Sequence, residues 1–152
     1  MKFANTFSFK VHALTYAIDY LANQVLKKNS TLNFPQFLIL LCYTQNPGQT
    51  QKFGAQWLQI TEATVSYMVK KMFRQGYLSF VQDKDDHRIK HLFPSQQCID
   101  SVQKLYPLLE KALSKHLYSV ADQDMKVSLK VMDQLMDSLK TEYETPPQSK
   151  HT

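Results

Sequence analysis

The sequence has few cysteines and glycines, and it lacks the motifs that those residues build. Cys42 and Cys98 are its two cysteines, and they lie far apart with no Cys-x-x-Cys pair. Neither a disulfide framework nor a zinc site is therefore indicated, and a reducing compartment is the expected setting. With 3 glycines in 152 residues, the chain has no glycine-rich phosphate loop, and it shows neither paired catalytic carboxylates nor a nucleophile motif. We therefore expect neither an enzyme nor a bound cofactor.

The chain also lacks a long hydrophobic run. Its longest, from Phe37 to Tyr43, falls well short of the ~20 residues that a helix needs to cross a bilayer. Polar residues interrupt the N-terminal region throughout, so we expect no export signal or membrane anchor and a cytoplasmic location. The 18 basic and 13 acidic residues give a net charge of +5, which is compatible with a polyanionic partner and equally with a simple basic soluble protein.

Apolar residues recur at helical spacing near both ends of the chain. The first stripe predicts a helix over residues 6–28 and consists of Val11, Leu14, Ile18, Leu21 and Val25. Two further stripes predict helices over residues 95–140, namely Leu105, Leu109, Ala112, His116 and Val120, and then Met125, Leu129, Met132, Met136 and Leu139. Pro107 predicts a kink or break in the earlier of these helices. The stripes could pack within one chain, but they favour dimerisation helices that contact a second copy.

The middle of the chain, residues 33–93, predicts a winged helix-turn-helix. Asn33-Phe34-Pro35 opens a helix, and Thr61 is a good N-cap for a later one that stops at Gly76. Strand-like runs over residues 77–82 and 88–93 flank a short charged tip. We therefore predict a mainly α fold with N- and C-terminal dimerisation helices and a small β-hairpin wing. It would form a single domain over residues 1–144, followed by a disordered tail over 145–152.

The second helix of such a motif carries the residues that contact DNA. Its N-terminal part meets base edges and its flanks meet phosphates, although an ordinary amphipathic helix with a solvated basic face is the alternative. The hairpin favours DNA binding, because Asp86 in its tip can hold the Arg88 guanidinium in a fixed direction that suits the narrow minor groove. A plain surface ion pair, worth only ~0–1 kcal/mol, is the alternative there. The candidate DNA-binding residues are Thr61, Ala63, Thr64, Ser66, Tyr67, Lys70, Lys71, Arg74, Asp86, Arg88 and Lys90.

The runs PGQTQK, ITEATVSYMVKKMFRQGYL and DKDDHRIKHL resemble the MarR family of multiple antibiotic resistance regulators, over roughly residues 33–100. The most specific elements are Thr64-Val65-Ser66, Gly76 and Asp86-x-Arg88. The resemblance implies a homodimeric transcription regulator that binds double-stranded DNA, usually as a repressor, with Arg88 entering the minor groove. It also implies a small-molecule effector between the dimer helices and the DNA-binding head. The candidate effector residues are His12, Tyr16, Phe37 and Tyr43, which core packing explains equally well.

Several positions differ from the pattern of that family. Gly54-Ala55 stands where a leucine-alanine pair is common, and Gln59 stands where a turn glycine is common. Three further residues stand where basic ones are common: Glu62, Tyr67 and Val81. These differences support an alternative function, a winged helix that binds a protein partner as an antirepressor or adaptor. Phe53 and Trp57 lie four residues apart on one helix face, and we favour core positions for them. In the alternative function they would form an exposed aromatic patch.

Histidine and cysteine give weaker signals. His87 and His91 are four residues apart, but they fall on or beside a strand with no third ligand close in sequence, so we expect no metal site. Cys42 lies in an apolar helical segment and is predicted to be an inert buried thiol. Cys98 lies at the start of a helix, where the helix dipole would lower its pKa, and a redox switch is the resulting hypothesis.

Overall fold

The computed structural model describes residues 3–143 and the side chains of residues 3–139. Helices make up most of it, together with one antiparallel hairpin. After a short 3-10 turn at Phe3–Asn5, the elements are α1 (Phe7–Asn29), α2 (Phe34–Gln45), α3 (Gln51–Leu58), α4 (Glu62–Arg74), β1 (Leu78–Gln82), β2 (Lys90–Pro94), α5 (Gln96–Leu117) and α6 (Asp122–Tyr143). This order confirms the predicted winged helix-turn-helix. The tail predicted to be disordered lies outside the described residues.

The helix boundaries follow from capping residues in the sequence. Asn33 and Gln36 form a reciprocal capping box at the start of α2: the Asn33 side chain accepts from the Gln36 amide at 3.0 Å, and the Gln36 side chain accepts from the Asn33 amide at 3.1 Å. Thr50 caps α3 through a single bond, in which its hydroxyl accepts from the Phe53 amide at 3.2 Å. These bonds satisfy amides that have no partner within the helix.

α2 lies at the centre of the hydrophobic core. Its buried side chains include Phe37, Ile39, Leu40 and Tyr43, which agrees with the apolar run in the sequence. The other elements contribute buried residues around it: Ala22 and Leu26 from α1, Val65, Met68, Val69 and Met72 from α4, Leu78 and Leu92 from the hairpin, and Cys98, Val102, Leu105 and Leu109 from α5. α4 is thus fixed through its inner face, and its outer face is left for contacts with other molecules.

The hairpin register runs from Leu78 opposite Pro94 to Gln82 opposite Lys90. The second strand therefore begins two residues later than the predicted Arg88. The reason is local: the Asp86 side chain accepts from the Arg88 amide at 2.9 Å, and the Asp86 carbonyl accepts from the Ile89 amide at 2.9 Å. These bonds turn Arg88 into the tip instead of the ladder.

α5 runs through Pro107 without a break. Proline removes the bond to the carbonyl four residues earlier, which belongs to Gln103. Both Pro107 and Gln103 are exposed residues of α5. The helix therefore tolerates the proline.

The chain forms two compact units, one ending at Leu113 and the other beginning at Ser114. In the second unit, α6 carries the predicted apolar stripe, of which Leu129 and Leu139 are more than half exposed and Met132 is partly buried. In the first unit, α1 is buried near its C-terminal end at Ala22 and Leu26. No helix among the described residues has the length and hydropathy that a bilayer crossing requires.

Candidate nucleic-acid interface

The turn between α3 and α4 gives the motif its shape. Gln59 adopts the left-handed conformation, with φ 55° and ψ 44°, and the Ile60 amide donates to the Ala55 carbonyl at 3.1 Å. This is the position where the resembling family often has glycine, which enters the left-handed region without steric cost. The turn therefore holds Gln59 in a left-handed conformation, which is strained for a residue that carries a side chain.

α4 separates an inner apolar face from an outer polar one. Val65, Met68, Val69 and Met72 are buried, and the residues between them point outward. Tyr67 is 71% exposed and is the most prominent side chain of the outer face. All the predicted contacts on this helix are exposed: Ala63, Thr64, Ser66, Tyr67, Lys70, Lys71 and Arg74. They therefore form a surface that a duplex can reach.

Two threonines order the N-terminus of α4. The Thr61 hydroxyl accepts from the Thr64 amide at 3.2 Å, as predicted for an N-cap, and it lies 2.8 Å from the Thr64 hydroxyl. Hydroxyls and amides at a helix N-terminus suit a phosphate oxygen. The carboxylate of Glu62, in the first turn, repels a phosphate. Lys71 and Arg74 make the last turn basic.

The wing tip presents a fixed arginine. Arg88 donates from Nε to Asp86 Oδ1 at 3.0 Å and from its terminal nitrogen to Oδ2 at 3.0 Å, which confirms the predicted pair. The hydrogen bond from Arg88 lowers the pKa of Asp86, and the same bond raises the pKa of Arg88. The Arg88 side chain is nevertheless 91% exposed. Its direction is thus set by the protein while its remaining donors face solvent.

A second cluster at the base of the tip links the hairpin to the turn after α2. Asp83 Oδ1 accepts from the amides of Asp85 and Asp86 at 2.9 and 3.1 Å, and Asp83 Oδ2 lies 2.9 Å from His91 Nε2. His91 Nδ1 lies 2.9 Å from the Gly48 carbonyl oxygen. Hydrogen bonding from His91 and from the tip amides lowers the pKa of Asp83 to about 2, and Asp83 raises the pKa of His91.

The sequence had not pointed to this cluster. His91 and Asp83 are joined by the hairpin register, and Gly48 lies 43 residues from His91. In the structure Leu92 pairs with Gln49 as an extra bridge, and the Gly48 amide donates to the Leu92 carbonyl at 2.7 Å. Gly48 has φ 82°, a conformation in which glycine carries no steric penalty.

An aromatic contact joins α4 to the wing. The ring of Phe73 on α4 lies 5.4 Å from the ring of Phe80 on β1, measured between centroids. Lys90 Nζ lies 4.2 Å from the centroid of Phe80, so this predicted DNA contact also makes a cation–π interaction. Phe73 and Phe80 had not been singled out from the sequence, since both lie outside the buried pattern.

The structure corrects the prediction for Cys98. Its side chain is fully buried, with the sulfur 3.4 Å from the Thr44 hydroxyl and 3.9 Å from the Leu40 carbonyl oxygen. Burial raises the pKa of this thiol, so the predicted lowering by the helix dipole is wrong. The reason is that α2 covers the start of α5. Cys42 is buried as predicted, and burial raises its pKa to about 11.

The prediction that Trp57 lies in the core is also wrong. Trp57 is 39% exposed, and Phe53, four residues earlier, is partly buried. α3 buries Gly54 and Ala55 instead. The helix therefore packs on α2 and α4 through small residues, and the bulky indole lies at the edge of the contact.

The candidate effector residues fall in two different environments. His12 and Tyr16 are exposed on α1, whereas Phe37 and Tyr43 lie in the core. The Tyr43 hydroxyl donates to the Thr50 carbonyl at 3.2 Å. A shallow cleft of about 270 Å³ is lined by other residues: Leu41, Gln45, Val102, Gln103, Tyr106 and Pro107. No metal-binding group of three or more candidate ligands occurs among the residues that the structure describes.

Comparison with known proteins agrees with this geometry. Residues 32–90 match the model of the MarR family. Two Bacillus subtilis proteins are similar, the uncharacterized HTH-type transcriptional regulators YybA, 28% identical over 102 residues, and YkoM, 29% identical over 82 residues. These alignments cover 67% and 53% of this chain and 65% and 53% of the relatives. The chain therefore matches less than two thirds of the length of either relative.

Solved structures extend the similarity in fold to most of the chain. The S. aureus MepR–DNA complex matches with a TM-score of 0.79 at 20% identity, over 88% of this chain and 98% of MepR. The PcaV transcriptional regulator from Streptomyces coelicolor, in complex with its natural ligand, matches with a TM-score of 0.80 at 20% identity, over 90% and 96%. Streptococcus pneumoniae FabT in complex with DNA matches with 0.69 at 15% identity, over 87% and 94%. The chain thus shares the winged-helix fold of these proteins, and its residues 32–90 match the MarR family model.

Proposed function

We propose that the protein binds double-stranded DNA sequence-specifically as a homodimer and represses transcription from a pseudo-palindromic operator. The observation that carries the proposal is the pairing of an exposed polar face on α4 with an arginine held in a fixed direction at the wing tip. α4 enters the major groove, where Ala63, Ser66 and Tyr67 contact base edges. This placement follows from their position near the N-terminal end of the outer face.

Affinity comes largely from phosphate contacts. Lys70, Lys71 and Arg74 continue the outer face toward the C-terminal end of α4, where their side chains reach the strands that border the groove. The Thr61 and Thr64 hydroxyls contact a phosphate at the opposite end. Each neutralised phosphate releases counterions, so binding weakens steeply with salt.

Arg88 enters the minor groove beside the half-site. A guanidinium already held by Asp86 loses little conformational entropy on binding, since its direction is set before contact. The narrow minor groove has a strongly negative potential that favours such a side chain. Lys90 lies near the same end of the hairpin, where its side chain over Phe80 contacts the sugar-phosphate backbone of the DNA.

The apolar stripes support a homodimer. In α6, Leu129 and Leu139 of the stripe are exposed, and in α1 the stripe residue Leu14 is exposed as well. Residues 6–28 and 95–140 supply the dimer contacts of a regulator domain that spans residues 1–144. A two-fold dimer matches half-sites centred about 10 bp apart. A small-molecule effector relieves repression in the cytoplasm, in line with the ligand-bound state of PcaV.

The first test compares variants at the wing tip. Arg88→Ala removes the fixed guanidinium, and we expect a loss of roughly 5- to 150-fold in affinity for the operator without unfolding. Lys84→Ala is the matched control, because Lys84 is an exposed cation of the same tip and lies outside the proposed interface. Unchanged affinity of a folded Arg88→Ala variant would remove the wing from the proposal.

A second function is favoured by one observation, the exposure of Trp57. In the alternative, Trp57 and Phe53 form a contact for a protein partner, and the protein acts as an antirepressor or adaptor with weakened DNA binding. Fluorescence quenching distinguishes the two functions. If the protein is a DNA-binding regulator, DNA should leave the quenching of Trp57 by acrylamide almost unchanged. The alternative is favoured if a protein partner protects Trp57 from acrylamide and all duplexes bind equally weakly.

A further inference from the structure

The His91 ring faces two hydrogen-bond acceptors. Its Nδ1 lies 2.9 Å from the Gly48 carbonyl oxygen and its Nε2 lies 2.9 Å from Asp83 Oδ2. A carbonyl oxygen and an ionised carboxylate accept hydrogen bonds and donate none, and a neutral imidazole carries one N–H. Both bonds therefore form together only when the ring is the doubly protonated imidazolium.

The groups around the ring favour that charged form. Asp83, at the end of β1, is the charged side chain that acts on His91, and the Gly48 carbonyl comes from the turn after α2. Val81, the cross-strand neighbour on β1, is apolar. Lys90, the next residue on β2, has its Nζ 4.2 Å from the centroid of the Phe80 ring, and α3, which also packs on β2, carries Lys52.

The same cluster continues to the DNA-contacting arginine. While Asp83 Oδ2 accepts from His91, Asp83 Oδ1 holds the amides of Asp85 and Asp86. Asp86 in turn holds the Arg88 guanidinium through both carboxylate oxygens. The bonds thus lead without interruption from the Gly48 turn to the tip of the wing.

We propose that His91 is a positioning residue for DNA binding, whose protonated ring fastens the wing tip to the Gly48 turn and so fixes the direction of Arg88. This inference rests on the role proposed above for Arg88. When the ring loses one proton, one of its two nitrogens carries a lone pair in place of an N–H group. That nitrogen can no longer donate to its acceptor, either Gly48 or Asp83, so one end of the link opens. The affinity for DNA then depends on pH through a residue that does not contact DNA.

The direction of that dependence follows from linkage. Asp83 raises the pKa of His91 above the ordinary value of 6.5. The stabilisation is therefore fully present below pH 6.5 and is lost as the pH rises through the pKa of the folded state. Wing order and DNA affinity should fall as the medium becomes alkaline, by about 3- to 10-fold in affinity if one hydrogen bond of ordinary strength is lost.

Asp83→Asn should reverse this dependence. The amide oxygen of asparagine still accepts from the tip amides, and its NH₂ group donates to a neutral His91 Nε2 while Nδ1–H donates to Gly48. The link then closes with a neutral ring and opens when the ring is protonated. A purely structural role of Asp83 would not invert the pH profile, so this variant separates positioning from general stability.

The test combines NMR of the free protein with DNA binding between pH 6 and 9. In wild type we expect both His91 ring nitrogens to be protonated at pH 6, and the Arg88 Nε–H signal to lose its protection as His91 deprotonates. Operator affinity should fall over the same range in wild type, rise in Asp83→Asn, and stay flat in His91→Gln. His87→Gln, an exposed histidine of the same tip, is the matched control and should keep the wild-type profile.

Two results would overturn the inference: a His91 ring that is neutral at pH 6, or an Arg88 Nε–H signal that does not respond to His91→Gln and Asp83→Asn. Failure of the proposed function has a different signature. Wild type would then bind no duplex specifically at any pH, while the His91 and Arg88 signals of the free protein would still decide whether the link exists.

Discussion

Gly54 is the position in the helix-turn-helix where a single methyl group should have a large effect. A Cβ built on Gly54 would collide with the Tyr43 hydroxyl oxygen and would lie 3.1 Å from Tyr43 Cζ. Tyr43 is fully buried and donates to the Thr50 carbonyl at 3.2 Å, so its ring has no room to withdraw. The resembling family commonly has leucine at this point, and the space here is filled by tyrosine from α2.

Gly54→Ala should therefore lower the free energy of unfolding. Alanine gains ~1 kcal/mol over glycine in a helix interior. Against this, overpacking costs about 1–3 kcal/mol, and displacement of Tyr43 loses a hydrogen bond of about 0.5–1.5 kcal/mol. The net expectation is a destabilisation of about 1–3 kcal/mol, measured by urea unfolding. Gln56→Ala, an exposed site on the same helix, should change stability by less than about 0.5 kcal/mol.

A double-mutant cycle tests the assigned cause. Tyr43→Phe removes the hydroxyl and should cost about 1 kcal/mol on its own; the Thr50 carbonyl keeps a partner, because it also accepts from the Gly54 amide at 3.1 Å. Combined with Gly54→Ala, it should restore stability relative to Gly54→Ala alone, with a coupling of about 1–2 kcal/mol. The reasoning is refuted if Gly54→Ala is as stable as wild type, or if the two substitutions are additive.

Three further outcomes follow from the geometry. Gln59→Gly should raise the free energy of unfolding by about 0.5–1 kcal/mol, and the melting temperature with it, because glycine adopts the left-handed conformation without strain. A destabilised variant would contradict this. Cys98 and Cys42 should resist thiol-labelling reagents at pH 8 until the protein unfolds, because burial raises both pKa values; rapid labelling of the folded protein would show that the start of α5 opens. Lys70→Ala and Lys71→Ala should each reduce the slope of log affinity against log salt by about 0.9 and weaken all duplexes alike; a change confined to one sequence would make them base readers.

The sequence predicted those elements that depend on local chemistry. The capping residues Asn33 and Thr61 defined their helices because the cap bonds span only three residues. The Asp86–Arg88 pair was predictable for the same reason, since the two residues are two apart and both lie in a short polar tip. Their role toward DNA remains a proposal.

Features that depend on packing between distant segments were missed. The burial of Cys98 depends on Thr44 and Leu40 from α2, more than 50 residues away in sequence, and no local pattern shows this. The link from Gly48 through His91 to Asp83 required the hairpin register, which was displaced because Asp86 drew Arg88 into the tip. The sequence offered no reason to expect a metal at His91, and it also offered no sign that His91 lies beside Asp83.

Exposure on α3 was misjudged because the buried positions are occupied by small residues. The four-residue spacing of Phe53 and Trp57, which places both on one helix face, favoured a core position for the pair. The close contact of Gly54 with Tyr43 instead brings the backbone of α3 near α2, and the indole lies outside.

The central claim is that α4 and the wing together bind a specific duplex. The most direct measurement is fluorescence anisotropy of the protein against the duplex upstream of its own gene, with unlabelled competitor and at several salt concentrations. The proposal predicts saturable binding that survives unrelated competitor and weakens steeply as salt rises. Weak binding that is equal for this duplex and for others bearing pseudo-palindromes with half-sites about 10 bp apart would contradict it.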